Sequence, residues 1–116
     1  MILVSSYIQT AFSMDDAMKL VPVIEEELAK EENIQLDFSD VKFFTTLFFN
    51  NAITRYVLSL GPQKYRDTFK LFNLSDVGMS TYEHSLDNAL SFFELSDDKK
   101  PEAAQIIAQT LQENLD

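Results

Sequence analysis

Two adjacent threonines, Thr45 and Thr46, are the side chains of this sequence best placed for a chemical switch. They precede an apolar stretch with helical spacing, so they fall at the start of a predicted helix. A hydroxyl there can accept a phosphoryl group or help to bind an anion, because the first amides of a helix lack an intrahelical partner. The alternative is an ordinary N-cap, which stabilises a helix by about 1 kcal/mol. The sequence leaves both interpretations open.

Four other polar residues carry groups that could take part in binding or catalysis. Asp37 ends a predicted strand as a candidate catalytic or metal-binding carboxylate, but no second ligand follows at a recognisable spacing. We therefore predict that it caps a turn or binds a loop amide, with Ser39 beginning that turn. Asn50 lies on an apolar predicted helix and is expected to face either a partner or solvent. His84 is the only histidine, and the sequence around it contains no nucleophile elbow. The sequence thus predicts no catalytic residue, no metal site and no cofactor.

The hydrophobic pattern changes repeatedly between the period of a strand and that of a helix. The order strand-helix-strand-helix-strand-helix-helix predicts one α/β domain over 1–116, with a small, mixed, mostly parallel sheet, because strands that alternate with helices pair in parallel. Ser13 and Ser75 are predicted N-caps. Strands are predicted over 2–8 or 2–12, 34–38 and 68–72, with 41–44 extended. Helices are predicted over 14–31, 45–60, 75–95 and 101–115, with 63–67 as a polar connection.

The composition narrows the class of partner. The 116 residues include 19 Asp or Glu and 9 Lys or Arg, which gives a formal net charge of −10. Nucleic-acid binding relies on cationic side chains that release counterions, so direct nucleic-acid binding is not expected. The sequence has no cysteine and no run of about 18 apolar residues, and its first residues lack the basic region of a signal peptide. These features predict a cytoplasmic protein without disulfides or a membrane span.

The stretch 36–46, Leu-Asp-Phe-Ser-Asp-Val-Lys-Phe-Phe-Thr-Thr, resembles the signature of STAS domains. In that signature a strand reading Leu-Asp-Leu-Ser-x-Val-x-Phe-Ile is followed by Asp-Ser-Ser-Gly. The chain to about residue 96 more closely resembles a STAS-like family of unknown function, which has Leu-Asp-Phe-x-x-Val-x-Phe-x-Ser-Ser-Ser-Phe and often an ATP-binding kinase-like protein as neighbour. The resemblance implies a four- to five-stranded mixed sheet with helices and a protein-interaction role.

STAS domains include the anti-sigma factor antagonists, in which a partner kinase phosphorylates the first serine of the signature. By this resemblance Thr46 takes the position of that serine, Thr45 that of the preceding aspartate and Phe48 that of the glycine. The residues expected to meet a partner or to accept phosphate are therefore Thr45, Thr46, Asp37, Ser39, Phe48 and Asn50.

We predict from these features a non-enzymatic regulatory or adaptor domain that binds another protein through the loop–helix junction at Thr45 and Thr46. The resemblance implies an ATP-binding kinase-like or regulatory protein as the partner. An alternative based on net charge is an acidic inhibitor or nucleic-acid mimic, for example one encoded by a phage, that blocks a basic nucleic-acid-binding protein. A third class, a small enzyme, would need activity that depends on Asp37.

Two aromatic pairs bear on self-association. Phe48 and Phe49 are adjacent on one predicted helix, and Phe92 and Phe93 are adjacent on another. Adjacent helical residues point in different directions, so both members of a pair cannot face one core. An exposed aromatic patch would favour a homodimer, which the sequence leaves open.

Overall fold

Strands and helices alternate along the part of the chain that the computed structural model describes, residues 1–30 and 33–98. The protein is a mixed α/β protein with small parallel sheets, as the sequence predicted. The helix predicted over 101–115 lies outside the described residues, as does the last residue of the helix predicted over 14–31.

Five short strands of the described residues form two parallel sheets. They are β1 (Ile2–Leu3), β2 (Thr10–Ala11), β3 (Ile34–Asp37), β4 (Lys42–Phe44) and β5 (Phe69–Phe72). The central strand β3 lies between β1 and β5 in one sheet, and β2 pairs with β4 in the other. The sequence predicts a single sheet. The structure has two, because the segment 2–11 pairs twice with the segment 34–44, first as β1 with β3 and again as β2 with β4.

The strand predicted over 2–8 or 2–12 is wrong in its middle. Val4–Ser6 forms a turn of 3-10 helix, and the Val4 carbonyl accepts hydrogen bonds from the amides of Tyr7 at 2.9 Å and Ile8 at 3.1 Å. Val4 and Ile8 are both buried. Their β-branched side chains favour a strand locally, but burial of both in the core through a turn overrides that preference.

The helices of the described residues are α1 (Met14–Lys30), α2 (Thr46–Ala52), α3 (Arg55–Leu60), α4 (Pro62–Thr68) and α5 (Asp76–Asp98). Two predictions are wrong here. The helix predicted over 45–60 is two helices, and the connection predicted over 63–67 lies inside α4. Pro62 fits the first position of α4 because the amide that proline lacks would have no helical partner there. None of these described helices is long and apolar enough to span a membrane.

The predicted caps of α1 and α5 are confirmed. The Ser13 hydroxyl accepts a hydrogen bond from the Asp16 amide at 3.1 Å, and the Ser75 hydroxyl accepts one from the Gly78 amide at 3.1 Å. The Asp16 carboxylate in turn accepts the Ser13 amide at 3.2 Å and the Thr10 hydroxyl at 2.7 Å. This reciprocal capping satisfies the first amides of α1 and fastens that helix to β2.

Polar side chains fix the break between α2 and α3. The Phe49 carbonyl accepts hydrogen bonds from the amides of both Ile53 at 3.0 Å and Thr54 at 2.9 Å, so the regular helical register ends there. Ser85 of α5 donates to Asn50 Oδ1 at 2.5 Å, and its hydroxyl lies 2.8 Å from that of Thr54. Both hydroxyls are buried, so their hydrogen bonds hold α5 against the break.

Phe49 lies at the centre of the aromatic core. Its side chain is fully buried, and its ring centroid lies within 6.0 Å of those of four other aromatic residues, in stacked, tilted and edge-on arrangements. Such pairs add about 0.5–1.5 kcal/mol each beyond the burial of their area. The core therefore depends on the ring contacts that Phe49 of α2 makes with β4, with α5 and with the residue after β3. The four neighbours are Phe38, Phe44, Phe48 and Tyr82.

Candidate functional site

Asp37 joins the loops that follow β3 and β5. Its Oδ1 accepts hydrogen bonds from the Ser39 hydroxyl at 2.7 Å, the Ser39 amide at 2.9 Å and the Asn73 side-chain amide at 3.0 Å. The prediction that Asp37 binds a loop amide is confirmed. The Ser39 hydroxyl, together with Asn73, lowers the pKa of the Asp37 carboxyl, because these donors favour its charged form. No group of three or more His, Asp or Glu side chains in the described ranges could hold a metal ion.

We expect acid to weaken the fold through Asp37. Because its pKa is lower in the folded than in the unfolded chain, its contribution to stability is complete above the usual value of 3.8 and is lost as the pH falls through the lowered pKa. The Asp37→Asn variant should show a smaller loss of stability than the wild type between about pH 5 and about pH 2 in urea unfolding. Parallel stability curves for the two proteins would contradict this role.

Thr45 is the N-cap of α2. Its hydroxyl accepts a hydrogen bond from the Phe48 amide at 3.1 Å and donates one to the Phe12 carbonyl at 2.5 Å, while its own amide donates to the Ala11 carbonyl at 3.0 Å. The hydroxyl thus holds the start of α2 against the chain that leaves β2. Of the two interpretations that the sequence left open, the structure bears out the cap for Thr45.

Removing this hydroxyl should destabilise the protein. Thr45→Ala is expected to lower the free energy of unfolding by about 1 kcal/mol, because the Phe48 amide loses its cap. Thr46→Ala serves as the matched control, because the Thr46 hydroxyl makes no such hydrogen bond within the part of the chain that the structure describes. It should change the free energy of unfolding by less than about 0.5 kcal/mol. Chemical denaturation measures the free energy of unfolding of both variants. Equal losses would show that the Thr45 hydroxyl does not stabilise α2 more than the Thr46 hydroxyl does.

The remaining residues predicted for the site lie in different environments. Thr46 is half-buried at the first residue of α2, and Ser39 is half-buried beside Asp37. Phe48, by contrast, has no exposed surface and packs in the core, and Asn50 accepts the hydrogen bond from Ser85. The structure therefore brings Ser39 and Asp37 together and leaves Thr46 at the surface, whereas it gives Phe48 and Asn50 internal contacts.

Phe43 has the most unusual conformation near this junction. Thr10 and Ala11, adjacent in β2, pair with Lys42 and Phe44, so Phe43 is the extra residue of a bulge in β4. Its φ of 55° lies in the left-handed region, and its side chain is 70% exposed. For a bulky residue that backbone conformation costs about 1–2 kcal/mol. The bulge thus turns a large aromatic side chain out to solvent.

Phe43 was not among the residues predicted for the site. A weak signal was nevertheless present, because Phe43 and Phe44 are adjacent in a stretch predicted to be extended. Neighbouring side chains of a strand point to opposite faces, so one of the two had to leave the core. The left-handed backbone of Phe43 could not be predicted from residue type, because glycine or asparagine is the usual residue in that conformation and the sequence has phenylalanine.

Around Phe43 the surface combines aromatic and polar groups. We call it the bulge surface and define it by Phe12, Asp40, Lys42, Phe43 and Thr46. Phe12, 56% exposed, is tied to the junction by the hydrogen bond from Thr45. Phe43, Asp40 and Lys42 line an open cleft of about 420 Å³ together with the segment between β1 and β2. An open cleft lined by both polar groups and an exposed ring is suited to contact with another macromolecule rather than to enclosure of a small apolar ligand.

One of three comparisons with known proteins gives a match. A family model described as a STAS-like domain of unknown function matches residues 16–79, a stretch that includes β3, β4, the bulge and α2. No curated protein and no solved structure matches the chain.

Proposed function

The chain belongs to the STAS-like domain family of unknown function, and on that premise we propose that it is a non-enzymatic regulatory or adaptor domain that acts by binding another protein. The partner contacts the bulge surface. An ATP-binding kinase-like or regulatory protein in the cytoplasm is the kind of partner that the family resemblance suggests. The proposed contact keeps the loop–helix junction at Thr45 and Thr46 that the sequence predicts, and it includes the exposed Phe43 in place of the buried Phe48.

The observation that supports this proposal most directly is the conformation of Phe43. Its backbone is strained at a φ of 55°, and a ring that is 70% exposed gains little from contacts within the chain. Strained residues persist where the surrounding structure or a function demands them. Aromatic residues are enriched in the buried centres of protein interfaces, where burial of a ring provides much of the binding energy. In the proposed complex, the exposed Phe43 ring is therefore buried against the partner.

Affinity capture with matched baits tests this proposal. The full chain, Phe43→Ser and Leu95→Ser would each be used to capture proteins from the native cell. Leu95 is a suitable control because it is 40% exposed and lies near the C-terminal end of α5, whose N-terminal turns pack beside Phe44. A true partner should bind the full chain and Leu95→Ser but not Phe43→Ser. If Phe43→Ser captures every protein that the full chain captures, the bulge surface is not the contact.

A negative charge at Thr46 is expected to weaken binding of that partner. The added carboxylate would have to leave water beside the apolar contact around Phe43, so it should oppose binding. Thr46→Glu should reduce the affinity about tenfold or more, whereas Thr46→Ala, which only removes the hydroxyl, should leave it unchanged. Isothermal titration with the captured partner measures both. If Thr46→Glu and Thr46→Ala bind the partner with equal affinity, a phosphate switch at Thr46 is contradicted, but the interaction with the partner is not.

The acidic-inhibitor alternative makes a different prediction about salt. Binding that depends on the net charge should weaken steeply as salt screens the charges and should compete with DNA or RNA for the partner. Binding centred on Phe43 should change little with salt, because burial of an aromatic ring is not screened. The affinity of the captured partner at low and high salt distinguishes the two functions.

A further inference from the structure

Two open clefts meet at the segment that connects β1 with β2. The first has a volume of about 410 Å³ and is lined by Tyr7, and the second, of about 420 Å³, is the cleft beside Phe43. Ser5, Gln9 and Thr10 line both clefts, so the two are continuous. We call them together the polar trough. It extends the bulge surface along the segment between β1 and β2.

The turn at Val4–Ser6 is what exposes the side chains of this segment. Burial of Val4 and Ile8 in the core leaves the residues between them at the surface. Ser6 is exposed, and Tyr7 is 49% exposed. The departure from the predicted strand thus creates one wall of the trough.

The trough offers polar groups that the fold itself does not use. The side chains of Ser5, Ser6 and Gln9 can each donate and accept hydrogen bonds, and within the described ranges they make none. The Thr10 hydroxyl, by contrast, already donates to Asp16 at 2.7 Å. An extended peptide presents free N–H and C=O groups that suit such side chains, whereas a helix satisfies most of its own.

The charges that line the trough cancel. Asp16 and Lys19 line the first cleft, and Asp40 and Lys42 line the second, so each cleft has one side chain of either sign. The trough is therefore neutral in a chain of net charge −10. A strongly acidic or strongly basic segment would meet repulsion as well as attraction there, which favours an uncharged occupant.

Each cleft also has an exposed aromatic ring of its own. Tyr7 lines the first, and Phe43, which is 70% exposed, lines the second. Aromatic side chains provide much of the binding energy at interfaces, and the few polar groups near them fix orientation. We propose that the polar trough binds an extended, uncharged segment of the partner, with an apolar residue against each ring and hydrogen bonds to Ser6 and Gln9 between them. This inference rests on the proposed function, because it names the chemistry of the partner at the bulge surface.

A library of random peptides displayed on phage, selected against the full chain, tests the occupant. The selected peptides should carry two apolar residues separated by uncharged polar ones. Tyr7→Ser and Phe43→Ser should each weaken a synthetic copy of such a peptide about tenfold or more, because each removes one anchor. Tyr7→Phe keeps the ring and Leu95→Ser lies outside the trough, so both should leave the affinity unchanged. Fluorescence anisotropy of the labelled peptide measures all four, and circular dichroism checks that each variant is folded.

The same measurements can overturn the proposal. Selected peptides that bind Tyr7→Ser as tightly as the full chain would mean that the trough is not their site, as would a selection that yields no peptide. Charged peptides whose affinity falls steeply with salt would contradict an uncharged occupant. The captured partner separates this inference from the proposed function. A partner that needs Phe43 but binds Tyr7→Ser fully contradicts the trough alone, whereas one that also binds Phe43→Ser fully contradicts the proposed function.

Discussion

Replacing Phe43 with glycine is expected to stabilise the protein and to weaken partner binding at the same time. Glycine adopts the left-handed conformation without strain, so the variant removes a cost of about 1–2 kcal/mol at a φ of 55°. The greater freedom of glycine in the unfolded chain offsets about 0.5–1 kcal/mol of that gain. A net stabilisation of about 0.5 kcal/mol should raise the melting temperature by about 2 °C. Loss of an interface anchor should weaken binding by roughly 30-fold or more.

Phe43→Ala is the matched control for this experiment. Alanine also lacks the ring, but its Cβ keeps the strain of the left-handed backbone. Both variants should lose the partner equally, and only Phe43→Gly should melt at a higher temperature. A glycine variant that is less stable than the wild type would assign Phe43 a structural role and would remove the main support for a partner at the bulge.

Replacing Phe49 with alanine is expected to have the largest effect on stability. The centroid of the fully buried ring lies within 6.0 Å of those of four other aromatic rings, which come from β4, α2, α5 and the residue just after β3. A Phe→Ala change in a core costs about 3–5 kcal/mol, through lost burial and the cavity left behind. Domains of this size are stable by only about 5–15 kcal/mol, so the variant should lose a large fraction of its stability.

Phe12→Ala makes the same chemical change at a side chain that is 56% exposed. It should lower the free energy of unfolding by much less than Phe49→Ala does, because more than half of the Phe12 side chain stays in water after folding. Urea unfolding followed by circular dichroism compares the two variants. Similar losses in both would contradict the assignment of Phe49 to the core and of Phe12 to the surface.

Local sequence patterns predicted much of this architecture. The alternation of strand and helix periods indicated a mixed α/β protein with parallel pairing, and Ser13 and Ser75 occupy the caps expected of them. Thr45 occupies the cap that the sequence left open between the two threonines. These features depend on residues within a few positions of one another. A cap needs only its own hydroxyl and an amide three residues ahead, so the sequence nearby is enough to specify it.

Predictions failed where distant segments decide the outcome. The strand expected from residue 2 onward turns after Leu3, because Val4 and Ile8 are drawn into the core. The helix expected over 45–60 breaks near Thr54, where Ser85 of α5 supplies a buried hydrogen bond. The contact is made across a gap of 31 residues, which no local period reveals.

The candidate site divides in the same way. The sequence by itself determined the family, the strand-loop-helix order and the position of the two threonines at the start of α2, because these follow from residue type and spacing. Only the tertiary structure decided which aromatic side chain is exposed. Phe48 is buried and Phe43 is turned outward because β4 pairs with β2 through a bulge, and the register between strands about thirty residues apart is set by packing of the whole core.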